Sequence, residues 1–159
     1  YEQGAKYVNP NIKIASVYIG GANAFNDPAS AKTKTETLIQ QGADVVYHAA
    51  GASGAGVFQS AKEKNIYAIG VDSNQDDIVP GLVLTSMMKY VDIAVFDIVK
   101  EVTDGKFEAR IQEFGIKENG VGTTDFEFTK DKIGEENIKK LNQIKEEIKN
   151  GKVVVKPTL

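Results

Sequence analysis

Three short apolar runs alternate with helix-forming segments in the first half of the chain, and this alternation constrains the fold most. Buried strands are predicted at residues 12–19, 45–48 and 67–71. A helix should begin at Asp27, a good N-cap, and stop before Gly42, and a second should end near Asn65. Strands and helices in this order predict an α/β fold, with a Rossmann-like parallel sheet, right-handed crossovers and helices on both faces.

The second half predicts a less regular arrangement. We expect a strand at 83–86, a helix from about 89 to 103, two strands or extended arms at 107–115 and 120–128, a helix at 135–150 and a last strand at 153–155. The first of these helices carries an apolar stripe of Val91, Val95, Ile98, Val99 and Val102.

Composition narrows the function classes. A chain of 159 residues forms one domain with a real core, and its net charge of −3 argues against a nucleic-acid partner. The absence of cysteine excludes disulfides and thiolate metal sites. No apolar run approaches the ~18 residues of a membrane span, and no signal peptide is visible. Because Tyr1–Val8 reads as the last turns of a helix, we expect the chain to be a fragment.

Ligands of parallel sheets bind beyond the carboxyl ends of the strands, which here directs attention to residues 20–27, 49–56 and 72–77. The glycine-rich segment around Gly51 follows a strand and opens a helix, so its N–H groups could receive ligand oxygens. It lacks the P-loop lysine and the dinucleotide fingerprint, and a close-packed turn is the alternative. Asp72 ends a strand, where its carboxylate could accept hydrogen bonds from a vicinal diol or cap a turn.

Three further side chains have both a functional and a structural interpretation. Phe25, in a loop of small and polar residues, could stack on a planar ring or anchor the loop in the core. Lys89, at the predicted start of a helix, could pair with a specific partner or be solvated. His48 is the only histidine, so a hydrogen-bonded structural role is favoured over a metal ligand or a catalytic triad.

Six strings of residues stand in a fixed order along the chain. They are Phe25-Asn26-Asp27-Pro28, Gln41-Gly42-Ala43-Asp44-Val45, Ala49-Ala50-Gly51 with Gly54 and Gly56-Val57-Phe58, Ala68-Ile69-Gly70-Val71-Asp72-Ser73, Leu84-Thr85-Ser86-Met87-Met88-Lys89 and Asn119-Gly120-Val121-Gly122. In this order and spacing they resemble the basic membrane protein family, whose members are substrate-binding lipoproteins of ABC importers, related to a purine nucleoside receptor. The resemblance covers nearly the whole chain and matches the carboxyl-terminal half of the family.

The resemblance implies a lobe of a type I periplasmic binding protein, in which two lobes close on a ligand. Residues 1–159 would be the carboxyl-terminal lobe, with 89–128 as hinge or crossover region and the amino-terminal lobe absent. The implied ligand residues are Phe25, which would stack on the base, Asn26 beside it, Gly51 and Asp72, which would hold the ribose hydroxyls, and Lys89, which would reach the ribose near the hinge.

The expected function is capture of a purine nucleoside or similar small molecule for an ABC permease. The site would be extracytoplasmic, in a lipid-anchored or periplasmic protein whose anchor lies in the absent part. No catalytic residue, metal or cofactor is expected. The lone lobe is expected to dimerise, because its apolar stripe would lack its cover. The alternatives are a Rossmann-type enzyme on a nucleotide or sugar, which needs a phosphate loop or an acid–base pair, and a receiver-type signalling domain, which needs clustered strand-end acids.

Overall fold

The computed structural model describes residues 1–156. Its helices are α1 (Glu2–Val8), α2 (Pro28–Gln40), α3 (Gly54–Lys64), α4 (Val91–Thr103), α5 (Lys130–Ile133) and α6 (Glu135–Lys149). Its strands are β1 (Val45–Tyr47), β2 (Tyr67–Asp72), β3 (Val83–Lys89) and β4 (Val121–Thr123), and a short 3-10 helix spans Gly51–Ser53.

The four strands form one sheet in the order β1-β2-β3-β4. The first three are parallel, with Tyr47 beside Ile69 and Asp72 beside Met88, while β4 is antiparallel to β3. The carboxyl ends of β1, β2 and β3 therefore lie at one edge of the sheet. The predicted α/β class, a parallel sheet flanked by helices, is confirmed.

Helix α2 begins, and helix α3 ends, at the residues that the sequence marks. The Asp27 carboxylate accepts the Ser30 N–H at 2.9 Å and caps α2, and Pro28 occupies its first turn. Asn65 ends α3 in the left-handed conformation, with φ of 53°. The helices approach so closely that a side chain at Gly56 would overlap the Pro28 carbonyl.

The core lies between these two helices and the sheet. It consists of small and medium apolar side chains and one aromatic ring, namely Ala31, Val46, Val57, Phe58, Ala61, Ala68 and Val83. Every member comes from α2, α3, β1, β2 or β3. The hydrophobic core is therefore built by the alternating strands and helices of the first half of the chain together with β3.

The predicted strand at residues 12–19 is wrong. This segment has no regular secondary structure and belongs to no ladder in the described structure, and Val17 and Tyr18 are exposed. Ile19 still packs against the core. A strand needs a neighbour to accept its N–H and C=O groups, and β1 pairs only with β2 among the described residues.

The predicted strand at residues 153–155 is also absent from the described structure. Residues 107–115, expected as a strand or an extended arm, belong to no ladder there. Of the arm at 120–128, only β4 pairs. The turn before β4, closed by the Gly120 N–H on the Gly115 carbonyl at 2.8 Å, therefore connects an unpaired arm to the sheet.

Lys89 lies elsewhere than the sequence predicted. It is the last residue of β3, and α4 begins at Val91, so the lysine belongs to the sheet edge and not to a helix start. The strand is longer than predicted because it gains a second partner: Met87, Met88 and Lys89 pair with β4. No described helix is long and apolar enough to span a membrane.

Candidate functional site

Asp72 and Lys89 meet at the carboxyl edge of the sheet. They end the neighbouring strands β2 and β3, and the Lys89 Nζ lies 2.6 Å from the Asp72 Oδ1. Both side chains are about half exposed, at 54% and 52% for Lys89 and Asp72, so the pair is open to a ligand. The hydrogen bond and the charge of Asp72 raise the pKa of Lys89, which keeps it cationic at neutral pH.

The backbone at Asp72 is unusual. Its φ is +70°, in the left-handed region that non-glycine residues rarely adopt. The Ser73 N–H donates to the Val71 carbonyl at 2.9 Å across it, which makes a three-residue γ-turn. Such turns with positive φ are rare and strained, so the direction of this carboxylate is imposed by its surroundings.

Phe25 and Gly51 form the second group at this edge. Gly51 has a φ of +53°, and a side chain there would come within 3.2 Å of the Phe25 carbonyl oxygen. Phe25 is 69% exposed, so it does not anchor the loop in the core, and its side chain is accessible to a ligand. Asn26 beside it is exposed, and its N–H closes a turn on the Asn23 carbonyl at 2.7 Å.

Ser53 fixes the Phe25 loop, a role that the sequence analysis missed. The fully buried Ser53 hydroxyl donates to the Ala24 carbonyl at 2.8 Å and accepts the Asp27 N–H at 2.7 Å. Its N–H donates to the Phe25 carbonyl at 3.3 Å. The glycine-rich segment thus clamps the loop that carries the aromatic ring. The one available signal was a hydroxyl between glycines at a helix start.

His48 lies directly beneath the glycine-rich segment. The ring is buried, packs edge-on against Phe58 at 5.0 Å, and leaves room only for a glycine at position 54. Neither ring nitrogen has a hydrogen-bond partner among the described residues, so the structural placement is right but the expected hydrogen bond is missing. Burial lowers the pKa of His48, and the charge of Asp72 opposes the shift.

Tyr47 flanks the ion pair from β1. Burial raises the pKa of the Tyr47 hydroxyl, the charge of Lys89 lowers it, and the charge of Asp72 raises it. Its ring stacks on Tyr1 with centroids 4.9 Å apart and planes 16° apart. An aromatic layer therefore borders the charged group.

A groove lies close to this edge of the sheet. A mainly apolar groove of about 460 Å³ lies between α3 and residues 75–79, and it reaches Gly51 but none of Phe25, Asp72 and Lys89. Within residues 1–156, no group of three His, Cys, Asp or Glu side chains could hold a metal ion. The arrangement can offer hydrogen bonds, one carboxylate, one ammonium and an aromatic face.

Residues 1–158 match the family described as ABC transporter substrate-binding protein, PnrA-like. The chain belongs to this family. It is 37% identical over 129 residues to basic membrane protein D of Borreliella burgdorferi (strain JD1), a match that covers 77% of this chain and 36% of the relative. It is 35% identical over 140 residues to an uncharacterised lipoprotein of Pyrococcus horikoshii, covering 82% of this chain and 34% of that protein.

A solved structure shares the fold. A solute-binding protein of an ABC transporter system from Aeropyrum pernix K1 superimposes with a TM-score of 0.82 and 26% identity, covering 98% of this chain and 52% of that one. The chain therefore spans about half of the solute-binding protein and about a third of these curated relatives. The resemblance to the basic membrane protein family is confirmed, and the family is one of substrate-binding proteins.

Proposed function

We propose that this chain is the carboxyl-terminal lobe of an extracytoplasmic receptor that captures a purine nucleoside between two lobes and delivers it to an ABC permease. The exposed ion pair of Asp72 and Lys89 at the carboxyl ends of β2 and β3 carries this proposal. Family membership and the match to about half of a solute-binding protein support it. The proposal assigns no catalytic residue and no cofactor.

The ion pair suits a ribose. A carboxylate has only acceptors, so Asp72 can take one hydrogen bond from each of two neighbouring hydroxyls. Lys89 has three donors and can bind a hydroxyl or ring oxygen while it still balances the Asp72 charge. Gly51 allows the sugar to approach the backbone because it has no side chain.

The exposed ring of Phe25 suits a purine. An aromatic side chain gains from stacking on a planar base, and the clamp by Ser53 means that little freedom remains to be lost on binding. Asn26, next to this ring and exposed, is available for a polar contact with the ligand. Base and sugar would thus be held by separate groups on one edge.

The mechanism that we propose is hinge closure without covalent chemistry. Residues 89–128 would include the crossovers to the other lobe, which would bring the opposite wall of the cleft. The exposed stripe on α4 would pack on that lobe, and a second copy would cover it in the isolated chain. Lipoprotein relatives support an extracytoplasmic, lipid-anchored location.

Calorimetric titration of the full-length, two-lobed protein with inosine, guanosine, adenosine, ribose and riboflavin tests the proposal. We expect nucleosides to bind with about −8 to −12 kcal/mol and ribose not to bind measurably, since stacking on Phe25 requires a base. Binding of riboflavin alone, or of no nucleoside, would retain the family and refute the ligand.

The variant Asp72→Ala tests the ribose contact. It should weaken nucleoside binding by about 1.5–3 kcal/mol, the worth of hydrogen bonds to a charged group. The matched control is Asp77→Ala, which removes the same charge from an exposed position in the next loop. Equal behaviour of the two variants would remove Asp72 from the site.

A further inference from the structure

The strained turn at Asp72 needs a second set of residues to hold it. A non-glycine residue keeps a φ of +70° only where surrounding contacts determine the backbone. The ion pair with Lys89 does not suffice, because both side chains are about half in solvent. The fixing contacts are therefore to be found on the buried side of the turn.

Gln75 provides the first of these contacts. Its side-chain Oε1 accepts the Val71 N–H at 2.8 Å, so the loop after β2 folds back onto the strand that it has just left. Its own N–H donates to the Ser86 hydroxyl at 3.0 Å. The residue before Asp72 is thus tied, through one side chain, to the neighbouring strand β3.

Asp76 and Ser86 complete the connection. The Ser86 Oγ donates to the Asp76 Oδ1 at 2.6 Å, so one hydroxyl both accepts from Gln75 and donates to Asp76. Ser86 is fully buried, and Asp76 is 3% exposed. Glycine at position 70 is required because a side chain there would overlap the Ser86 hydroxyl.

Ser86 also contacts the strand that returns from the far part of the chain. Its N–H donates to the Thr124 hydroxyl at 3.0 Å, and its carbonyl accepts the Thr124 N–H at 3.1 Å. Thr124 directly follows β4. One residue therefore joins the Asp72 turn to the segment that would lead to the other lobe.

We propose that Asp76 and Ser86 are positioning residues that hold Asp72 in its ligand-binding conformation. The inference rests on the proposed function for the role of Asp72 and for the identity of the ligand. A buried carboxylate is costly unless hydrogen bonds compensate it, and here its bond fixes the loop that shapes the site. Loss of the Asp76–Ser86 bond frees Gln75 and then the Asp72 backbone.

The binding test uses the full-length protein and three variants. Asp76→Ala should weaken nucleoside binding about tenfold or more, because the bond is to a charged group. Asp76→Asn keeps an acceptor for Ser86 and should recover most of the affinity, and exposed Asp77→Ala should match wild type. In a double-mutant cycle, Asp76→Ala should add little once Asp72→Ala is present. Additive losses, or no recovery in Asp76→Asn, would overturn the proposal.

A second measurement needs no ligand. Hydrogen exchange of the Val71 and Gln75 amides should be about fivefold faster or more in Asp76→Ala, and unchanged in Asp77→Ala. Gln75→Ala, at a partly exposed position, replaces Asp76→Ala if that variant does not fold and should release the Val71 amide. Unchanged exchange would overturn the proposal even if nucleosides bind. Faster exchange without nucleoside binding would refute only the ligand.

Discussion

Helix α3 is less apolar than helix α4, yet α3 is the more deeply buried of the two. The shorter α3 has six buried residues among its 11, although all of its residues except Val57 and Phe58 are small or polar. The 13-residue α4 is rich in Val, Ile and Phe, yet none of its residues is buried. Apolar side chains need a surface to pack on, and for α4 that surface is absent from the described structure. The comparison teaches that α3 builds the core, whereas the described residues leave the apolar face of α4 uncovered.

The largest expected effect on the free energy of unfolding comes from comparing the removal of one phenylalanine ring from each of these helices. Phe58→Ala in α3 should destabilise the chain by about 3–5 kcal/mol, because it empties a site that is 2% exposed. Phe96→Ala in α4 should change the free energy of unfolding by no more than about 0.5 kcal/mol, because that ring is 66% exposed. Urea denaturation at low protein concentration, where self-association is negligible, measures both.

The pair of variants also provides its own control, because each removes the same ring from a helix. Similar losses for Phe58→Ala and Phe96→Ala would mean that α4 is packed in solution.

The helices that pack on the core could be predicted because particular residue types mark where they begin or end. Asp27 and Pro28 start α2, and Asn65 ends α3, at the positions read from the sequence. Residues 12–19 have the same apolar pattern as a buried strand, yet they form none. Strand formation depends on a pairing partner that a local pattern does not contain.

Site residues that lie at the end of a predicted strand could be found from the sequence. Those placed by contacts between distant parts of the chain could not. Asp72 lies at the carboxyl end of β2, as its place after an apolar run indicated. The pairing of Lys89 with it depends on β3 extending to β4, which no local signal announces. Ser53 and Ser86 act through hydrogen bonds to residues 10 to 38 positions away, so only the folded chain identifies them.

An effect of intermediate size on the free energy of unfolding comes from pH, through the buried side chain of His48. Burial lowers the pKa of His48 below its unfolded value of about 6.5, so the unfolded chain binds more protons in acid. The contribution of neutral His48 is therefore complete above that value and is lost as pH falls below it. The slope from this residue is at most about 1.4 kcal/mol per pH unit.

His48→Gln isolates this effect, because the variant has no titrating ring at the position. The difference between wild type and His48→Gln, measured by urea denaturation from pH 8 to 5, should change steadily below pH 6.5 in favour of the variant. Asp72 from β2 is the charged group that faces His48, and the same comparison in Asp72→Ala should show a stronger pH dependence, since its charge opposes the shift. A difference that does not vary with pH would show that His48 keeps its proton equilibrium on folding.

Substitutions in the α4 stripe should have the smallest effect on stability, and they should change self-association instead. The isolated chain should self-associate through Val91, Val95 and Val99, because these exposed side chains form one continuous apolar face. Val95→Glu should give a monomer in sedimentation at high concentration and change the unfolding energy by at most about 0.5 kcal/mol at low concentration. Lys139→Gln, an equal charge change at an exposed site of α6, should leave association intact. A monomeric wild-type chain would contradict the prediction and mean that α4 tolerates water by itself, whereas association that survives Val95→Glu would place the contact elsewhere.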